Sequence, residues 1–335
     1  MLEKPQIKDS EIARCLEDQF DLRVRDISFL PLGADPDTAV YRVVAEDEAP
    51  YFLKLRRGDV DTAAVAIPRF LSQQGMAQVI APLATVSGQL WASLPPFKVI
   101  LYPFVEGRHG YEAKLSEQQW VHFGATLKRF HTARVPPEIT EGIPRETFSP
   151  KWREIVRSHL ARLEEKAFND PVATEMAAFL RARREETLML IRRADRLAQA
   201  LQANPPPFIL CHGDIHGWNL LLDDAGRLHI VDWDTLIFAP KERDLMFIGA
   251  GLGDSDYTPR EEESLFYRGY GRTDVNPAAL AYYRYERIVE DIAVYCEQIF
   301  LSDEGGQDRR QSLAYLKSNY LPGSTIETAV QSDKT

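Results

Sequence analysis

Residues 208–234 read FILCHGDIHGWNLLLDDAGRLHIVDWD, and this stretch decides the fold. Two short apolar runs flank the residues Asp223–Gly226, whose composition is typical of a hairpin turn. A hairpin at this point returns Asp232 to the side of Asn219 and Asp214. Two carboxylates and one amide then share a small space, and their oxygen atoms are ligands suited to Mg²⁺.

The spacing within this stretch is specific. A His-x-Asp sequence is followed by Asn five residues after the Asp, and a second Asp follows the next hairpin. Protein kinases use this spacing in their catalytic loop, where the first Asp takes the proton of the acceptor hydroxyl and the Asn holds a metal ion. The pattern therefore predicts Asp214 as the catalytic base and Asn219 and Asp232 as the metal ligands.

The same residues carry a resemblance to a known family. CHGDIHGWNLLL, IVDWD and APKERDLMFIG resemble the aminoglycoside phosphotransferases, which share the kinase-like fold. SPKWREIVRS, PKERDLMFIG and YYRYERIVEDIAVY resemble the branch of that family that acts on spectinomycin. The resemblance covers about residues 1 to 320. It implies an α+β, two-lobed fold with a small N-terminal sheet lobe and a larger helical lobe.

The predicted lobes meet near residue 105. Residues 1–105 are expected to form the nucleotide-binding lobe and residues 106–321 the helical lobe, because apolar residues beyond the boundary recur with a helical period. Residues 322–335 are polar and aperiodic, which predicts a loose tail. The helices expected in the larger lobe cover residues 115–134, 149–168, 172–202 and 278–301.

Four residues of the smaller lobe are predicted to bind ATP. Lys54 interrupts the apolar strand YFLKL, where an unpaired lysine is costly to bury. It is either a solvent-facing residue of an edge strand or, as the resemblance implies, the lysine that holds the nucleotide phosphates. By the same resemblance, Pro103 and Val105 offer backbone groups to adenine. Gly33 lies in the phosphate-covering loop, although a plain hairpin turn is an alternative there.

The helix predicted over residues 59–74 lacks an expected feature. Kinases place a Glu on this helix to pair with the phosphate-binding lysine. The sequence VDTAAVAIPRFLSQQ contains no Glu, so Asp59 and Asp61 near its start are the carboxylate candidates.

The helix predicted over residues 278–301 has a buried stripe of apolar residues flanked by two polar rows. Glu286, Glu290 and Glu297 lie along one flank. This row is either a solvated face or a wall that receives an amine-bearing substrate, and Asp234 is a further candidate for substrate binding. Arg287 and Asp291 lie on the other flank, four residues apart, and are predicted to pair with each other.

Charge and composition limit the classes of function. The net charge of −10 argues against nucleic acid as the main partner, and residues 205–335 carry 22 acidic and 12 basic side chains. That excess can attract a cationic substrate or can simply be a solvated surface. We expect a cytoplasmic protein without a membrane partner, because no run of 18 apolar residues occurs and the N-terminus is charged. A monomer or weak homodimer is expected.

The resemblance implies that the protein uses ATP and Mg²⁺ to phosphorylate a hydroxyl of a small cationic antibiotic. A spectinomycin-like aminocyclitol is the substrate it implies, and antibiotic resistance the role. Two alternatives stay open. One is another small-molecule kinase, acting on choline, homoserine or a sugar. The other is a nucleotide-binding module without turnover, which the sparse glycine loop and the missing helix Glu favour.

Overall fold

The N-terminal lobe is built on an antiparallel sheet whose strands follow the order β1-β2-β3-β5-β4. The computed structural model describes residues 3–33, 35, 37–164, 168–252, 255–302 and 306–334. Alternating apolar residues form this sheet, and its inner face packs on Ile12 and Leu16 of the first helix. The strands are β1 Val24–Leu30, β2 Thr38–Ala45, β3 Pro50–Arg57, β4 Ala92–Leu94 and β5 Phe97–Pro103, and the first helix is α1 Asp9–Phe20.

The second helix, α2 Thr62–Gln73, begins at an N-cap that fixes the role of one predicted carboxylate. The side chain of Asp61 accepts a hydrogen bond of 2.9 Å from the backbone N–H of Ala63. Such a cap satisfies one of the otherwise unpaired N–H groups at a helix start. The buried face of α2 packs against the core of the larger lobe, beside Phe123 and Trp233.

The larger lobe holds the predicted hairpin and a second small strand pair. Leu220 pairs with Ile230 and Leu222 with Leu228, so the hairpin is confirmed. The ladders consist of β6 Gly107–His109 with β8 Leu220–Asp223 and β9 Leu228–Ile230, and of β7 Ile209–Cys211 with β10 Ile237–Ala239.

Helices form the rest of this lobe, so the predicted two-lobed α+β fold is confirmed. Helix α10 lies at its centre, and its stripe of Tyr285, Ile288, Val289, Ile292 and Cys296 is buried as predicted. The helices are α3 Glu117–His131, α4 Pro137–Thr140, α5 Lys151–Arg162, α6 Pro171–Ala182, α7 Arg184–Ala203, α8 Glu242–Leu245, α9 Pro259–Tyr270, α10 Pro277–Phe300, α11 Gly306–Ser318 and α12 Thr325–Ser332.

Two predictions about these helices are wrong. The single helix expected over residues 172–202 is two helices, α6 and α7, which meet at Arg183. The hydroxyl of Thr187 in the first turn of α7 donates to the carbonyl of Arg183 and lies 2.7 Å from the hydroxyl of Tyr320. Tertiary packing at this corner therefore overrides the continuous helical propensity of the sequence.

The expected loose tail is also wrong for the described residues, because α12 packs on α10. Ile326 and Ala329 are buried there. The carboxylate of Asp333 pairs with Arg193 at 3.4 Å and with Arg196 at 2.5 Å. Burial of this short apolar face and these ion pairs hold the segment in place. Within the described part of the chain, no helix is long and apolar enough to cross a membrane.

Candidate active site

A cleft of about 1090 Å³ runs between the two lobes. Its walls come from the sheet of the smaller lobe, from the segment 102–111, from the catalytic stretch and from α10, α11 and α12. All the predicted nucleotide, metal and catalytic residues line this cleft, namely Gly33, Lys54, Pro103, Val105, Asp214, Asn219 and Asp232. Asp234 lines it as well.

A buried carboxylate holds the loop that carries Asp214, which we call the catalytic loop. Asp244 accepts hydrogen bonds from the backbone N–H groups of His212 at 2.8 Å and Gly213 at 2.7 Å. The ring of His131 donates to the same carboxylate at 2.9 Å. Burial alone would raise the pKa of Asp244, but these hydrogen bonds keep it below its ordinary value. Gly213 has φ +87°, and a Cβ there would collide with the carbonyl of Thr235, so the turn requires glycine.

His212 also braces the loop. Its Nε2 lies 3.0 Å from the carbonyl of Val231. Arg243 also acts on the loop, through a hydrogen bond of 3.0 Å from its Nε to the carbonyl of Gly213. Arg243 and Asp244 therefore support the loop through separate partners.

Asp214 lies in the cleft with both carboxylate oxygens engaged. Oδ2 receives a hydrogen bond of 3.2 Å from His216 and one of 3.4 Å from the amide of Asn219. Oδ1 accepts from the guanidinium of Arg287. Burial would raise the pKa of Asp214, but the charge of Arg287 and the bond from His216 hold it well below its ordinary value. The group is an anion at neutral pH.

Lys54 reaches across the cleft to two carboxylates of the larger lobe. Its Nζ lies 2.9 Å from Asp232 Oδ1 and 2.6 Å from Asp234 Oδ2. Arg56 donates to the same Asp234 oxygen at 2.6 Å. Burial would lower the pKa of Lys54, but the two carboxylates raise it above its ordinary value. The candidate Asp61 is therefore wrong as the partner of Lys54, because it caps α2.

The oxygen atoms expected to hold a metal fit that role. Asn219 donates its amide nitrogen to the carbonyl of Asp214 at 2.9 Å, which leaves its amide oxygen available as a ligand. The Asp232 side chain is half exposed, and its backbone takes a left-handed conformation with φ +62° that aims the carboxylate into the cleft. The set is one carboxylate and one amide oxygen beside a second carboxylate, which suits Mg²⁺.

Two of the residues predicted to bind the nucleotide lie at or just after the end of the strand β5. Pro103 ends this strand opposite Tyr51, and Val105 follows in the segment that joins the lobes. In the loop between β1 and β2, Gly33 has φ +88°. Asp35 steadies that loop by accepting hydrogen bonds from the Thr38 hydroxyl at 2.7 Å and the Asp37 N–H at 2.9 Å. Ala34 and Pro36 lie outside the described residues.

Comparison with known proteins matches this geometry. The phosphotransferase enzyme family (APH) matches residues 26–284 of the chain, which is more than half of it. The chain belongs to this family. It is thus a phosphotransferase with a kinase-like fold.

Individual relatives support the assignment. Spectinomycin phosphotransferase APH(9)-Ia, solved in complex with ADP and spectinomycin, is 34% identical with a TM-score of 0.91, and the alignment covers 99% of this chain and 100% of that one. Protein StrN of Streptomyces griseus is 28% identical over 262 residues, 73% of this chain and 77% of StrN. An amicoumacin kinase, solved with AMP-PNP and Ca²⁺, shares the fold at 18% identity and a TM-score of 0.62, over 96% of this chain and 94% of that one.

The acidic row predicted on α10 of this phosphotransferase does not form a wall of the cleft. Of the described residues that line the cleft, α10 contributes Arg284, Arg287, Ile288, Asp291 and Tyr295, and neither Glu286 nor Glu290 is among them. The helix is docked so that this row points towards α5 and towards Arg243, which supports the catalytic loop. The substrate-wall prediction for these two residues is therefore wrong.

The contacts of the row explain where it points. Glu286 is buried, with its carboxylate 3.6 Å from Arg153 Nε of α5. Glu290 lies 3.7 Å from Arg243, the arginine that supports the catalytic loop. Glu290 therefore has an indirect structural contact with the active site and does not face the cleft.

The sequence reasoning missed the opposite flank of α10. Arg287 pairs with Asp291 at 3.0 Å, as predicted, but both side chains face the cleft and Arg287 also reaches Asp214. Tyr111 and Trp218, whose rings lie 5.4 Å apart, form an exposed aromatic edge of the same cleft. The sequence signal for this flank is a charged pair beside a buried stripe. Such a pair does not by itself show whether its flank faces a cleft or solvent.

Proposed function

We propose that this phosphotransferase transfers the terminal phosphoryl group of ATP to a hydroxyl of a small cationic aminocyclitol, with spectinomycin as the acceptor. The observation that carries the proposal is one cleft whose lining includes Lys54, Asp232, Asp214 and Asp291. Lys54 and Asp232 suit a metal-bound triphosphate, and Asp214 and Asp291 suit a hydroxyl on a positively charged molecule. The relative that is 34% identical over its whole length binds ADP and spectinomycin, which supports this choice of acceptor.

Lys54, Gly33, Pro103 and Val105 form the nucleotide end of the proposed site. Lys54 would meet the negative charge of the phosphates. Pro103 has no N–H and would offer only its carbonyl to adenine, while Val105 would offer its N–H. We assign Asp234 to this end and not to the acceptor, because it holds Lys54 at 2.6 Å.

Asn219 and Asp232 would hold Mg²⁺. The bound ion would supply a charge that neutralises the phosphate oxygens and fixes their orientation. Asp214 lies beside this pair, and it would orient the acceptor hydroxyl and take its proton as the oxygen attacks phosphorus. The low pKa of Asp214 means that the carboxylate is ready as an acceptor over the whole neutral range.

The acceptor end would recognise cations with Asp291 and an aromatic edge. Asp291 is about a quarter exposed and lies on the cleft wall next to Tyr295. Tyr111 and Trp218 present ring faces, and an alkylated ammonium gains from contact with such faces as well as from a carboxylate. In this proposal the amine-bearing substrate is bound by four residues and not by the row of glutamates on α10. They are Asp291, Tyr295, Tyr111 and Trp218.

Mass spectrometry tests the proposal directly. Spectinomycin incubated with the protein, ATP and Mg²⁺ should gain the mass of one phosphoryl group, and an Asp214→Ala sample gives the matched control. A parallel screen of choline, homoserine and sugars separates the other small-molecule kinases, because one of them would then give product while spectinomycin did not. Nucleotide binding by calorimetry without product from any acceptor would support the non-catalytic alternative and contradict the proposal.

A further inference from the structure

Arg287 is held in the cleft from three sides. Its Nε donates to Asp291 Oδ1 at 3.0 Å, and a terminal nitrogen donates to Asp214 Oδ1. The guanidinium also lies over the ring of Phe247, 5.8 Å from its centre. The side chain keeps a quarter of its surface exposed, so it remains accessible to a ligand in the cleft.

The contact with Asp214 places Arg287 close to the reacting atoms of the proposed function. A general base lies about 3 Å from the acceptor oxygen, and that oxygen lies about 3 to 3.5 Å from the phosphorus it attacks. The guanidinium touches the base itself. It therefore lies a few ångströms from the place that the transferring phosphoryl group would occupy.

The neighbouring cations are engaged elsewhere. Lys54 and Arg56 share Asp234 at the nucleotide end of the cleft. Arg284, which also lines the cleft, gives its guanidinium to the carbonyls of Met246 and Ile248, each at 2.8 Å. Among the described residues of α10, Arg287 is thus the arginine whose charge is directed at the reacting groups.

We propose that Arg287 is a further catalytic residue of this phosphotransferase, an inference that rests on the proposed function. When both substrates are bound, its guanidinium turns from Asp214 to the oxygens of the transferring phosphoryl group. This movement frees Asp214 Oδ1 for the acceptor hydroxyl. It also brings a positive charge to the transition state on the side away from Lys54, as arginines do in other phosphoryl transfers.

The proposed transfer forms one bond to phosphorus and breaks another. The acceptor oxygen forms a bond to the terminal phosphorus of ATP, and the bond from that phosphorus to the bridging oxygen breaks. The bridging oxygen keeps the electron pair and leaves as part of ADP. The acceptor proton passes to the carboxylate of Asp214. Arg287 stays protonated throughout and only donates hydrogen bonds, while Asp291 keeps its guanidinium within reach.

Binding of a transition-state mimic tests the role of Arg287 without an acceptor. Aluminium fluoride with ADP and Mg²⁺ imitates the planar phosphoryl group, so the wild type should bind ADP more tightly when fluoride is added. Arg287→Gln should lose about tenfold or more of this gain, the worth of one charge-assisted hydrogen bond. Affinity for ADP alone should not change. Arg268→Gln, which removes an exposed arginine paired with Glu117, is the matched control.

Kinetics give a second readout. Arg287→Gln should lower kcat by about 10³ while the KM for ATP stays within twofold, since an arginine of this kind is worth about 10³ to 10⁵ in rate. Arg287→Lys should keep an intermediate rate, and guanidine added to Arg287→Ala should restore part of it. If Arg287 had only a structural role, added guanidine would not raise the rate of Arg287→Ala while the affinity for ADP stayed the same.

Two results would overturn the proposal for Arg287. One is a fluoride effect in Arg287→Gln equal to that of the wild type. The other is an equal loss of ADP affinity with and without fluoride, which would make Arg287 a structural residue. Failure of the wild type to phosphorylate spectinomycin would instead contradict the proposed acceptor. It would leave the fluoride test intact, because that test needs only ADP and Mg²⁺.

Discussion

Replacing Glu286 with Gln should stabilise the protein, and the gain should grow as the pH rises. Glu286 is 5% exposed on α10. Its Oε2 forms no hydrogen bond to any described residue, and the nearest cation, Arg153, is 3.6 Å away. Burial raises the pKa of Glu286 to about 8, because the attraction of Arg153 does not compensate for the loss of water. The folded protein therefore holds a proton that the unfolded chain has lost.

The size of the effect follows from this pKa. The ordinary value is 4.5 and the value in the folded protein is about 8. Between these two values the unfolded state binds fewer protons, so the free energy of unfolding falls as the pH rises. The fall is about 1.4 kcal/mol for each pH unit in this window, and about 3 to 4 kcal/mol between pH 5 and pH 8. Glutamine has no proton to lose, so the free energy of unfolding of Glu286→Gln should not show this fall.

Urea unfolding at pH 5, 6, 7 and 8 measures the difference. The free energy of unfolding of Glu286→Gln should exceed that of the wild type by an amount that increases steadily across the series. Glu297→Gln removes one carboxylate from the same helix and serves as the matched control. A difference between Glu286→Gln and wild type that stays constant over this range would refute the argument from burial. A rise in the KM for spectinomycin in Glu286→Gln would instead restore the substrate wall.

Five further substitutions test the site. Asp214→Ala should lower kcat by about 10² to 10⁴ with unchanged ADP affinity in calorimetry, and near-native turnover would remove it as the base. Lys54→Met should raise the KM for ATP and lower kcat, and Asp234→Asn should reproduce part of this loss in steady-state kinetics; a silent Asp234→Asn would mean that Asp232 alone suffices to hold the lysine. Asp232→Asn should weaken ADP binding in the presence of Mg²⁺ but not in its absence, and an undiminished Mg²⁺ effect would move the metal site. Asp61→Ala should lower the free energy of unfolding by about 1 kcal/mol in urea, the worth of an N-cap, with normal kinetics.

The catalytic stretch was predictable because its geometry is local. The turn after Asp223 and the apolar runs beside it fix the hairpin, and the N–H of Val231 bonds the carbonyl of Asn219 at 3.0 Å. Asp232 must then follow directly beside Asn219. No contact distant in the chain is needed to bring these groups together, so their spacing carried the information.

The acceptor side was not predictable in the same way. Helical periodicity defines the buried stripe of α10 but leaves two flanks, and the docking of α5 against one of them decides which flank meets the cleft. Glu286 consequently faces Arg153, while Arg287 and Asp291 face Asp214. The C-terminal helix escaped prediction for a related reason, since Ile326 and Ala329 are too few to indicate a helix until α10 is there to cover them.

The ion pairs of Lys54 have a consequence for control of the enzyme. In protein kinases the lysine depends on a Glu of the mobile helix, so any partner that displaces this helix switches the activity. Here both carboxylates, Asp232 and Asp234, come from the other lobe, and α2 is anchored by Ile67 and Leu71 in the core beneath the catalytic loop. A binding partner that acted on α2 would therefore not break the ion pairs of Lys54. We expect an enzyme whose rate follows the supply of nucleotide and acceptor and not a cellular signal.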